Sequence, residues 1–93
     1  MRVNSSSSFS RNLKKLHPNQ KKALDRAVQV ITATPAKGES KVGDLVGISI
    51  YKFKVNKMEW LLAYRIVSKN LITLLVVGPH ENFYRNLKRD SNP

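Results

Sequence analysis

The chain has 93 residues, 17 Lys plus Arg against 6 Asp plus Glu, no cysteine, and a net charge of +11. That length suits a single domain over residues 1–93, with a core that buries only roughly 60–65% of the unfolded surface. The lack of cysteine excludes disulfide staples, iron–sulfur clusters and zinc fingers; no apolar run reaches the roughly 18–20 residues that span a bilayer; and the serine-rich start is not a secretory signal.

Met1–Ser7 offers a short first strand, with a serine run that argues against it. Ser8–Leu16 sets Phe9, Leu13 and Leu16 on one helical face, and Ser8 suits the N-cap. His17-Pro18 breaks that pattern, and Pro18 fits the first position of a second helix. Leu24, Ala27, Val28 and Ile31 form its apolar stripe, while Lys21, Lys22, Asp25, Arg26 and Gln29 face out; Pro35 and Gly38 end it. The two helices make an antiparallel hairpin. Ala36–Gly47 reads as loop.

From Ile48 the period changes to two. Ile48–Val55, Glu59–Val67 and Leu71–Val77 are strands, joined by the turns Asn56-Lys57-Met58 and Ser68-Lys69-Asn70. Such short links make an antiparallel meander. The second and third strands are nearly continuous apolar runs, so both of their faces are covered at least in part. Gly78-Pro79 stops the third strand, His80–Arg89 is a polar-aromatic segment with Phe83 buried, and residues 90–93 fray. The expected fold is α+β, a helical hairpin packed on a small antiparallel sheet of three or four strands.

The charge exceeds the magnitude of about 2–8 that keeps a small domain soluble, which points to a polyanionic partner. Nucleic acid, an anionic membrane surface and an acidic protein all qualify. Lys52 and Lys54, spaced by two, project from one strand face while Tyr51, Phe53 and Val55 take the other. They are either a phosphate clamp or the solvated edge of a basic protein. His80 follows a strand end, and its ordinary pKa of about 6.5 suits proton transfer near neutrality. Tyr84 and Arg85 can stack on an unpaired base and bind its phosphate. The other histidine, His17, reads as structural. Six scattered carboxylates and two isolated histidines offer no metal site, and glycines 38, 43 and 47 match no phosphate loop.

Two helices followed by Tyr51-Lys52-Phe53-Lys54-Val55 and Trp60-Leu61-Leu62-Ala63-Tyr64-Arg65 resemble the RelE/ParE superfamily of bacterial toxins. The resemblance covers about Val3 to Arg89. Residues 19–25, the loop Gly43-Asp44-Leu45 and the ending from His80 to Lys88 are similar to its ParE-like subgroup. What the resemblance implies is the toxin of a type II toxin–antitoxin module: a cytoplasmic protein that forms a hetero-oligomer with a cognate antitoxin and needs no membrane, metal or cofactor. RelE-type members cleave mRNA on the ribosome without metal; ParE-type members inhibit DNA gyrase; an inactive homologue only binds its antitoxin. Lys52 and Lys54 match the paired lysines of the RelE strand motif. His80 and Tyr84, after Gly78, are similar to the glycine-x-histidine and later aromatic residue of the YafQ branch, and Glu59 stands where that branch carries an acidic residue. Leu61 stands where RelE carries an arginine; Arg65, four residues on, either replaces that cation or faces solvent. The nuclease implication makes Lys54 a base or phosphate clamp, Lys52 a second clamp and His80 the acid. Tyr84 and Arg85 hold base and phosphate, and Arg65 is an extra cation.

Overall fold

The computed structural model describes residues 1–81 and 83–91, with side chains through residue 88. Asn82 within the terminal string, and Asn92 and Pro93 of the expected frayed tail, lie outside the described residues. Five strands form one sheet: β1 (Arg2–Ser5), β2 (Glu39–Ser40), β3 (Ser49–Val55), β4 (Met58–Ser68) and β5 (Leu71–Pro79). Their spatial order is β1-β5-β4-β3-β2. The helices are α1 (Ser7–Lys14), α2 (Pro18–Ala33) and α3 (Phe83–Ser91).

The α+β class and the β3-β4-β5 meander stand as expected; the strand count does not. The sheet gains β2, two residues paired to Ser49 and Ile50, and β1, which runs parallel to β5 from Arg2↔Leu71 to Ser5↔Leu74. All four β1 residues are exposed, so no alternation of apolar residues marks the strand. The N-cap of α1 is Ser6 rather than Ser8. Its Oγ accepts the Phe9 N–H at 3.0 Å and donates to the Leu75 carbonyl at 2.8 Å, so one side chain starts the helix and ties it to β5. At the head of α2, Gln20 Oε1 accepts the His17 N–H at 2.8 Å. The β3–β4 turn is two residues long, Asn56 and Lys57, both at positive φ (50° and 71°). That is the geometry whose twist matches a hairpin, and Asn tolerates it well.

The sheet has a core on each face. α1 lies along β5 and α2 along β3, burying Phe9, Leu24, Ala27 and Ile31 against Trp60, Leu62, Tyr64 and Leu74. On the opposite face α3 sets Phe83 and Leu87 onto Leu61, Ala63 and Val76, with Leu45, Ile48 and Ile50 alongside. A bulge at Leu75 lets Leu74 and Val77 face the hairpin while Leu75 and Val76 face α3. Two-sided cover of β4 ends at Tyr64, and Ile66 and Val67 are 44% and 53% exposed. The terminal segment is thus a helix, and it runs on to Ser91, through two residues expected to fray. Among the described residues no helix is long and apolar enough to cross a membrane.

Candidate functional site

Strand register decides which side chains share the α3 face. In one row, Lys54 of β3 lies opposite Glu59 of β4, and the His80 N–H donates to the Glu59 carbonyl at 3.1 Å just past the end of β5. In the next row Lys52, Leu61 and Gly78 are neighbours. Alternation puts Lys52, Lys54, Glu59 and Leu61 on one face, opposite Tyr51, Phe53 and Val55, which join the hairpin core. Leu61 is fully buried beneath this surface, and Gly78 leaves open space beside it.

α3 brings Tyr84 over the same surface. Its ring meets the His80 ring edge-on at 6.0 Å and the Phe83 ring at 5.5 Å. From the other side Lys41 Nζ stands 5.5 Å from the Tyr84 centroid and 3.5 Å from Glu39 Oε1. These side chains thus stand on or over one face of the sheet with buried Leu61 beneath them, while Lys54, at the sheet edge, also lines a cavity of about 170 Å³ with Ala23, Arg26, Ala27 and Val30 of α2. Lys52 also borders a cavity of about 240 Å³ with Lys37, Glu39, Ile50 and Tyr51.

The loop that carries Glu39 and Lys41 is held by Tyr64. This fully buried phenol donates to the Pro35 carbonyl and accepts the Gly38 N–H at 3.0 Å. A Cβ on Gly38 would overlap the Tyr64 hydroxyl, so the position requires glycine for space. Burial pushes the Tyr64 phenol above its ordinary 10.0, against smaller opposing effects of the Gly38 N–H and of Ser49.

Two of the candidate cations lie elsewhere. Arg65 shares the face by alternation but sits four residues along β4 from Leu61, roughly 13 Å at about 3.3 Å per residue. It lines a separate cavity with Ser6, Ser7, Ser8, Leu75 and Leu87. Arg85 is exposed on α3, two positions and so roughly 200° round from the buried Phe83. Sequence reasoning missed Lys41 and Glu39, because their part depends on a loop closing against α3 some forty residues away. A cavity of about 460 Å³ lies between the α1–α2 turn and the start of α3, and Gly78 and Pro79 at the end of β5 also line it. Its Asn12 and Gln20 are already engaged, Asn12 Oδ1 by the Val77 N–H at 3.1 Å and Gln20 Oε1 by His17. Among the described residues, no three His, Cys, Asp or Glu side chains gather as a metal site would require.

Residues 3–88 match the model of the ParE-like toxin of type II bacterial toxin–antitoxin systems. The chain belongs to that family. No curated protein matches the sequence. Among solved structures, this ParE-like toxin is similar to a double mutant of Escherichia coli toxin RelE in the free state. The TM-score is 0.73 at 15% identity, over 98% of this chain and 97% of that one. It is similar also to the intact E. coli RelBE toxin–antitoxin complex (TM-score 0.67, 18% identity, 86% and 96% covered). A RelE mutant bound to an antitoxin RelBc peptide gives 0.68 at 14% identity, with 95% of each chain covered. At these identities the likeness establishes that the ParE-like toxin has the RelE fold.

Proposed function

We propose that this toxin is a metal-independent, ribosome-dependent mRNA endoribonuclease that stops translation and growth in the cytoplasm. The observation that carries the reading is the row Lys54–Glu59–His80, with Lys52 one row on and Tyr84 beside His80. In the proposed reaction the 2′-oxygen of a ribose bonds to the adjacent phosphorus and the bond from phosphorus to the 5′-oxygen breaks. Glu59 takes the 2′-hydroxyl proton and His80 supplies a proton to the departing 5′-oxygen, leaving a 2′,3′-cyclic phosphate and a 5′-hydroxyl. With a carboxylate beside it, Lys54 acts as a clamp. Lys52 and Lys54 then offset the charge that develops on the phosphorane, which is often the largest catalytic contribution. Tyr84 stacks on the exposed base. The ribosome supplies substrate geometry, so a small site suffices. Arg65 and Arg85 belong to the wider cationic footprint.

RelE structures that contain RelB support an antitoxin partner for this chain too. A basic surface beside apolar strands suits an acidic segment that folds on binding.

Purified toxin added to mRNA-programmed ribosomes tests the reading. Cuts with 5′-hydroxyl ends are expected, and His80→Ala slows cutting by about 10²–10⁴-fold. Growth arrest by the parent with intact mRNA overturns it. The ParE-like family match favours one rival, inhibition of DNA gyrase without cleavage. A ribosome-free supercoiling assay that loses activity on adding toxin would establish that one.

A further inference from the structure

Lys41 is not placed as a surface lysine usually is. Its side chain is 23% exposed, against 55% for Lys88, which pairs with Asp44 at 3.8 Å. Its backbone is pinned by an N–H donated to the Ile48 carbonyl at 2.9 Å, and its ammonium is drawn to the Tyr84 ring and the Glu39 carboxylate. Fixing a long lysine stem costs about as much as an exposed ion pair and a cation–π contact return. The outcome is an ammonium held in one place beside the Tyr84 ring. Glu39 is 64% exposed and is the one acid bordering the cavity it shares with Lys37 and Lys52. A carboxylate so placed occupies the position of an anionic oxygen and can swing out to solvent.

We propose that Lys41 is a substrate-binding residue that takes a phosphate of single-stranded RNA next to the base stacked on Tyr84. The incoming phosphate displaces Glu39 and meets Lys41 with Lys37 and Lys52. The assignment rests on the RNA substrate proposed above and adds to it the path of the backbone, from the Lys54–His80 row across Tyr84 to the β2 loop. Tyr84 thus carries a base on one side of a phosphate already claimed by Lys41.

The test is fluorescence anisotropy with a short 2′-O-methyl RNA, which binds but cannot be cut. Lys41→Met keeps the stem against Tyr84 and removes the charge. It should weaken binding whatever the RNA sequence and reduce the slope of log affinity against log salt by about 0.7, the effect of one phosphate contact on a single strand. Lys41→Arg should restore both. Glu39→Gln, which removes the competing carboxylate, should tighten binding several-fold. An unchanged salt slope in Lys41→Met overturns the assignment, as does a parent that does not bind the RNA. Melting temperature, read alongside, separates loss of charge from loss of fold. Cleavage on programmed ribosomes reports separately: a parent that binds through Lys41 but never cuts keeps the assignment and sinks the nuclease reading.

Discussion

Tyr64 links the core to the loop of Glu39 and Lys41 through one hydroxyl. Buried between β3 and β5, it reaches out of the sheet to hold the turn at Pro35–Gly38, and that turn aims Glu39 and Lys41. Tyr64→Phe leaves the Gly38 N–H and the Pro35 carbonyl without their partner. The expected loss is about 1–3 kcal/mol of stability by urea unfolding at neutral pH. The pH dependence has a definite sign. The folded state holds the phenolic proton more tightly than the unfolded chain, so this stabilisation is complete below pH 10.0. It drains away as pH rises through the raised folded value. The parent's urea midpoint should fall above pH 10, while Tyr64→Phe follows a flatter course. Ultraviolet titration of the three tyrosines should show Tyr64 ionising last.

α3 is the element that turns a sheet face into a site. Leu87 is fully buried on Leu61, Ala63 and Val76, and Leu87→Ala should cost about 2–5 kcal/mol in a urea titration. A hydrophobic dye should bind more strongly as that face opens. The same helix shows where the sequence was silent. β3, β4 and β5 could be read from their period of two and short turns, and Lys52, Lys54 and His80 followed from strand position. α3 carries only Phe83 and Leu87 as a helical pair, too short a pattern to compete with the polar residues around it. β1 has no buried side chain and β2 only two residues, so pairing alone, a long-range property, defines them. Arg65 and Arg85 looked equivalent to Lys52 as cations. Distance along β4 and helical phase set them apart from Lys52 and His80.

At the scale of the whole molecule the charge divides between two surfaces. Lys14, Lys15, Lys21, Lys22 and Arg26 are all exposed on the helical hairpin, and of these Arg26 shares an edge cavity with Lys54. On the ribosome-dependent reading proposed above, these five meet phosphates and give affinity and orientation without selecting sequence. Replacing these five by Gln should weaken ribosome binding and flatten its salt dependence. The position of the mRNA cuts should not move. Co-sedimentation across a salt series, with cut mapping on the same samples, measures both.

β2 covers β3 only at Ser49 and Ile50, so from Tyr51 to Val55 that strand presents an open flank of main-chain donors and acceptors. Such flanks invite a second copy to zip on, and charged side chains along them are a common safeguard. Lys52 and Lys54 supply it here. The two lysines therefore guard against self-association, a role separate from the phosphate binding proposed above. An alanine pair at these positions removes repulsion from a strand that also shows the half-buried rings of Tyr51 and Phe53. Lost toxicity in that double variant has two origins, emptied chemistry and self-association, and only a monomer isolated by size separates them.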